Sequence, residues 1–213
     1  MNTRLTIARK GDIGSGHVLY WMQQSQRAEW NHALEHAIEI TNQHSKSVHV
    51  LFCLTPDYPG ANLRHYTFML EGLAETAKRL KDRGVVFEIV VGEVVGSVLR
   101  AAKDAGLLVM DMGYTRVQRQ WREEIAGLVN IPVHMVESDI VVPVRYASSK
   151  EEYAARTIRP KIRVQRHIHL LPIETHQPDT RSEITPSRSP IELLDELNID
   201  RTVEPSPIFH GGR

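Results

Sequence analysis

Val85-Val-Phe-Glu-Ile-Val-Val-Gly-Glu-Val-Val-Gly-Ser-Val-Leu-Arg-Ala-Ala-Lys-Asp-Ala-Gly-Leu-Leu-Val-Met110 reads as strand, helix and strand in succession. Val85 to Val91 is a nearly unbroken, β-branched apolar run, which suits a strand covered on both faces. Val95, Val98, Leu99, Ala102 and Ala105 then recur at helical spacing, Gly106 offers a stop, and Leu107 to Met110 is a second short apolar run. Two buried strands joined through a helix make the parallel crossover unit, which is right-handed.

Working outward, the same alternation continues in both directions. His17 to Met22 (HVLYWM) is a strand, and Ala28, Trp30, Ala33, Leu34, Ala37, Ile38 and Thr41 follow it at helical spacing. Val48 to Leu54 is the next strand, and Pro56, Pro59 and Gly60 punctuate the loop behind it. Phe68, Met69, Leu70, Leu73, Ala74, Ala77 and Leu80 then form one face of a long helix that Gly84 closes in a left-handed conformation. Downstream, Val117, Trp121, Ile125 and Leu128 space a helix, and Ile131 to Val136 with Ile140 to Val142 supply one more strand or a bent pair. The expectation is an α/β domain over residues 17–146, doubly wound, with a mainly parallel five-stranded sheet and helices on both faces.

The flanks read differently. Met1 to Gly16 ends in Gly-Asp-Ile-Gly-Ser-Gly and is expected to be a mobile leader. Residues 147–213 are expected to form a short helix and an interdomain linker. In that segment Ser149-Lys-Glu-Glu152 fits a capping box, and the short helix runs through Arg156 before Pro160 stops it. Arg163 to Pro190 lacks an apolar period and reads as extended, and Ile191 to Leu197 can add a last helical turn or two.

Basic and acidic residues cancel to a formal charge of zero, which excludes a nucleic-acid surface covering the whole molecule. Cys53 is the only cysteine, so no internal disulfide can form; within an apolar run it reads as a small buried hydrophobe. No signal-peptide core and no apolar stretch of roughly 18 residues is present, and a soluble, cytoplasmic protein without membrane contact is expected.

Several chemistries lose their anchors. A dinucleotide site needs glycines directly after the first strand, but Gly11, Gly14 and Gly16 precede it and Gln23-Gln-Ser-Gln-Arg27 follows it. No Gly-Lys-Ser/Thr phosphate loop and no Gly-x-Ser-x-Gly elbow occurs. His32 and His36 share a helix face, but without a Glu directly after His32 they read as a solvated face rather than a metal site, and His167 and His169 read as exposed. Asp111 ends the fourth strand, at the edge where α/β sheets bind ligands; a ligand contact and a loop cap are equally good readings. Arg116, Arg119 and Arg122 read as a charged outer face, and Trp21 and Trp30 as buried packing. The one basic concentration, Arg145, Lys150, Arg156, Arg159, Lys161, Arg163 and Arg166, fits a phosphate backbone and a solvated linker alike.

Particular strings go beyond pattern. Tyr20-Trp-Met22 followed by Gln26-Arg27, Asn31 and Ala33-Leu34 resembles the opening of class II cyclobutane pyrimidine dimer photolyases. The likeness continues through Phe52-Cys-Leu54, Pro56, Gly60-Ala61, Arg64, Tyr66, Phe68-Met-Leu70 and Gly72-Leu73, and then Arg119-Gln-Trp-Arg122. Its most specific part is Ala147-Ser-Ser-Lys-Glu-Glu-Tyr-Ala-Ala-Arg-Thr-Ile-Arg-Pro-Lys-Ile162, and Leu197-Asn-Ile-Asp-Arg201 is similar to the stretch before that family's helical domain. Trp30 stands where the family usually has Asp, and His32 where it has Trp.

The resemblance implies light-driven repair of DNA in which a carboxyl-terminal helical domain holds FAD and the flipped dimer. That domain is the implied partner, damaged DNA is met only through it, and it is expected to be absent from these residues. The amino-terminal domain then supplies a cleft for an antenna chromophore, 8-hydroxydeazaflavin or folate. By sheet-edge geometry the lining should come from Met22, Gln23, Gln26 and Arg27 after the first strand and Leu54 and Thr55 after the second. Gly92 and Glu93 after the third and Asp111 and Met112 after the fourth complete it. No catalytic residue and no metal ligand is expected. The alternatives are a stand-alone α/β module binding a nucleotide or chromophore, and a structural domain without a ligand.

Overall fold

A computed structural model describes residues 3–182 and 188–212. Six strands form one sheet in the order β1-β6-β5-β2-β3-β4. In chain order they are β1 (Leu5–Arg9), β2 (His17–Trp21), β3 (Val48–Leu54), β4 (Val86–Val91), β5 (Ala105–Asp111) and β6 (Val133–Val136). All neighbouring strands run parallel except β1, which pairs antiparallel with β6.

Helices cover both faces, as the apolar runs demand. Val18, Tyr20 and Met22, every second residue from β2, pack with Val50 and Leu107 against α1 (His32–His44) and α2 (Leu63–Asp82). The alternate residues Leu19 and Trp21 pack with Leu51 and Met110 against α3 (Val94–Ala101) and α4 (Arg116–Leu128). Gly84 closes α2 at φ +73°, as its position predicts. The doubly wound α/β fold stands, with six strands rather than five.

The sixth strand lies in the expected leader. Leu5 to Arg9 extends the sheet along β6, and Arg4 is buried, with its guanidinium donating to the carbonyls of Glu137, Ile140 and Val141. An apolar period too short to register in sequence is enough here because the β6 edge supplies the backbone partners. Gly106 does not end a helix. It sits in β5, where a Cβ would lie 2.4 Å from the Gly14 carbonyl oxygen, so its smallness serves the close approach of the leader. Ile140 to Val142 forms no strand.

Beyond the sheet, α5 (Val144–Ala147) precedes α6 (Ala155–His169), which runs through Pro160 rather than stopping there. α6 buries no residue, so the Arg156 carbonyl that Pro160 cannot bond faces water, and the interruption is tolerated. The segment after it is extended yet anchored: the His176 N–H donates to Glu35 Oε2 at 2.8 Å, and Arg83 donates to the His176 carbonyl at 2.6 Å. A 3₁₀ turn, Pro190–Glu196, places Leu193 and Leu197 in the α2 core, so apolar contacts of the domain extend well past residue 146. Trp21 is buried as expected, but Trp30 is 57% exposed with φ +48°, on the turn before Asn31 caps α1.

Candidate functional site

Strand order reverses between β2 and β5, the place where a crevice opens at the carboxyl edge of such a sheet. The chain leaving β2 is held there by a buried knot. Asp111, at the end of β5, accepts the consecutive N–H groups of Gln23, Gln24 and Ser25 on Oδ2 at 3.1, 2.9 and 2.9 Å, and the Tyr20 hydroxyl on Oδ1 at 2.9 Å. Asn31 completes it. Its Nδ2 donates to the Tyr20 hydroxyl and to the Ser25 and Arg27 carbonyls, while its Oδ1 accepts from Ala33 and Leu34 at the start of α1. Burial pushes the Asp111 carboxyl up from its ordinary range, and the three backbone donors and Tyr20 oppose that rise. Asp111 is therefore a loop cap, but of the loop after β2, and its oxygens are committed.

Over this loop opens a cleft of about 520 Å³, a size that suits a small ligand. Met22 and Phe52 to Leu54 form its apolar floor, the Tyr58–Ala61 turn and His65, Tyr66 and Met69 of α2 one wall, and Gln118 and Trp121 of α4 the other. The rings of Tyr58 and Trp121 approach across it, their centroids 6.5 Å apart at 57°. Tyr66 is fixed by its hydroxyl, which donates to the Thr55 carbonyl at 2.6 Å. Both polar atoms of the Gln23 side chain and the Gln24 Oε1 are buried along this cleft without a hydrogen-bond partner among the described residues. Such groups cost about 1–3 kcal/mol each when left unpaired. Cys53 lies in the floor, its thiol pushed up to about 12 by burial, which leaves it inert.

Of the ten residues expected to line a chromophore site, Met22, Gln23, Gln26, Leu54 and Thr55 border this cavity. The other five are drawn elsewhere. Arg27 turns to Asp139, with a 2.8 Å ion pair. Gly92 takes φ +144° to turn the chain, and its N–H bonds the Leu54 carbonyl. Glu93 folds back to cap α3, accepting from the N–H groups of Val95 and Gly96 at 2.7 and 2.6 Å. Asp111 is buried in its knot, and Met112 continues the ladder through its N–H to the Val136 carbonyl. The contributions of α2 and α4 went unread because Tyr66, Met69 and Trp121 sit on the apolar faces that also build the core; only the Pro-Gly turn beside Tyr58 hints at a wall.

The amides at this edge are also committed. Those after β2 serve Asp111, and two at the start of α3 serve Glu93, so a pyrophosphate would find no free cradle at either place. Two further expectations are corrected nearby. Arg122 is buried and donates to the Gly113 carbonyl, because α4 tucks its first turns against the β5 loop. His36 is buried rather than solvated, with Nε2 2.9 Å from His134 Nδ1. Among the described residues no cluster of three His, Cys, Asp or Glu could hold a metal, and no helix is long and apolar enough to cross a membrane.

Residues 18–180 match the sequence profile of the family described as DNA photolyase. The chain belongs to the DNA photolyase family. It is 39% identical over 203 residues to a deoxyribodipyrimidine photo-lyase of Methanothermobacter thermautotrophicus, covering 94% of this chain and 45% of that protein. A photo-lyase of the same name from Potorous tridactylus is 34% identical over 149 residues, covering 68% of this chain and 28% of its own length. The photolyase-family chain thus spans less than half the length of these relatives. Its fold is shared with the crystal structure of an archaeal photolyase from Sulfolobus tokodaii described with two FAD molecules. That match has a TM-score of 0.68 at 17% identity, covering 92% of this chain and 44% of that one.

Proposed function

We propose that this chain is the amino-terminal, antenna-type half of a class II cyclobutane pyrimidine dimer photolyase, and that its cleft takes a planar light-harvesting chromophore, 8-hydroxydeazaflavin or folate. The observation that carries the reading is the Gln23 amide, buried in the cleft with both its donor and its acceptor unpartnered. A heterocycle edge that presents a carbonyl beside an N–H satisfies both at once. The spent amides after β2 and before α3 favour a ligand held by its ring system over one held by phosphate. Tyr20-Trp-Met22 and the segment from Ala147 to Ile162 support class II.

In this reading Trp121 and Tyr58 close over the ring faces and exclude water, and Met22, Phe52 and Leu54 supply the apolar floor. The Asp111 knot holds the Gln23 backbone, so the amide is oriented before the ligand arrives. The bound chromophore supplies absorbed light to the FAD of a carboxyl-terminal helical domain, the partner that also takes up the flipped dimer.

The test is titration of the chain with 8-hydroxydeazaflavin, folate, NAD and ATP, read by chromophore fluorescence and melting temperature. A response to one of the chromophores that is lost on Gln23→Leu supports the site. Tight binding of NAD or ATP, with no response to either chromophore, overturns it in favour of a nucleotide-binding module.

A further inference from the structure

α6 carries five Lys or Arg among its fifteen residues and no Asp or Glu, in a chain whose net charge is zero. At 100° per residue, Arg156, Arg159, Arg163 and Arg166 fall on one stripe, and the 1.5 Å rise spreads them over about 15 Å. All four are exposed. Lys161 lies off the stripe and is neutralised by Glu152, with Nζ 2.5 Å from Oε1. The four arginines have no carboxylate partner among the described residues. About 100° round the helix from the stripe, Ile158, Ile162 and His169 are half-buried, and His169 packs against the Tyr146 ring. The stripe therefore lies beside the side of α6 that touches the domain, with all four guanidinium-bearing residues open to solvent.

We propose that this stripe is a docking surface for the phosphate backbone of duplex DNA, read without regard to sequence or damage. The occupant is chosen by charge: four guanidiniums in a row, without a carboxylate partner among the described residues and with no acid interleaved in the helix, complement a polyanion of regular spacing. It fits the reading above, in which DNA is the substrate, by adding a contact to duplex flanking the lesion; damaged DNA would then not be met through the partner domain alone.

The experiment titrates the chain, in the dark and without chromophore, into fluorescently labelled undamaged duplex at several salt concentrations. Four phosphate contacts predict an affinity loss of roughly 100-fold between about 50 and about 200 mM salt. Arg156→Gln, Arg159→Gln, Arg163→Gln and Arg166→Gln combined should reduce that loss to a few-fold, and the corresponding four Lys substitutions should restore it. Neutralising the exposed Lys10, Lys78, Lys81 and Lys103 instead should leave the salt slope nearly unchanged. The proposal is overturned if the arginine variant keeps the wild-type slope, if the lysine control lowers it equally, or if the stripe binds phosphatidylserine vesicles and not duplex. Because no chromophore or dimer is present, failure here leaves the antenna reading intact, and an empty cleft leaves this one intact.

Discussion

The Tyr20 hydroxyl and the Asp111 carboxylate meet at 2.9 Å across the neighbouring parallel strands β2 and β5, both side chains wholly enclosed. The contact joins the two strands at the point where the sheet order reverses, and from there Asp111 gathers three backbone N–H groups of the loop that floors the cleft.

Asp111→Asn should destabilise the fold by about 1–3 kcal/mol, because with the remaining oxygen turned to the three N–H groups its NH₂ cannot accept from the Tyr20 hydroxyl, and the bonds lose their charge. Tyr20→Phe should lose about 1–2 kcal/mol, and the double variant less than the sum, since both act in one network. Urea unfolding of the four proteins measures this; a loss below about 0.5 kcal/mol for Asp111→Asn would show that the carboxylate does not hold the loop.

Gln23→Leu separates stability from binding. The backbone N–H that Asp111 accepts is retained, while an unpartnered buried amide is removed, so melting should be unchanged or rise by the equivalent of about 1 kcal/mol. Chromophore affinity should fall at least roughly tenfold. A clear loss of stability would mean that the amide has a structural partner.

Arg83 is buried against Glu35 with an ion pair of 2.9 Å and also donates to the Ala28 and His176 carbonyls. Arg83→Ala leaves the Glu35 charge enclosed and should destabilise by about 3–5 kcal/mol. It also frees the segment around His176, so trypsin should cut after Arg181 faster than in the parent. Equal cleavage rates would refute the clasp.

Burial, and then the neighbouring His134, lower His36 from its ordinary value to about 4. Between that value and the unfolded one near 6.5, the unfolded chain binds a proton that the native chain refuses, so stability rises with pH over this window. The contribution is complete above about 6.5 and lost below about 4, and it is on the order of 3 kcal/mol. His17 and His32 are also lowered to about 4, chiefly by burial, and add to the same slope. Urea midpoints from pH 7 to 4 should fall for the parent and fall less steeply for His36→Gln.

The strand-helix alternation was legible because a strand enclosed on both faces must be apolar throughout, and β3 and β5 are written that way. Leu54, Thr55 and the loop after Met22 could be placed at a sheet edge for the same reason: chain direction alone puts them there. The family was legible in strings such as Tyr20-Trp-Met22, although class II itself rests on those strings. What periodicity could not carry was any choice among partners. Asp111 and Glu93 are both carboxylates at the right edge, and only their distances to amides of Gln23 and Val95 reveal that they face inward as caps. Trp121 and Tyr66 carry the apolar signature of core residues, yet they border a cavity where α2 on one face and α4 on the other reach the carboxyl edge of the sheet. Leu5 to Arg9 became a strand only when β6 offered its edge, and Arg83 found Glu35 and His176 from far along the chain. Periodicity is a local property of the sequence, so it determined the layers; hydrogen bonds and cavities are set by residues distant in sequence, and only the packed chain decides which of them meet.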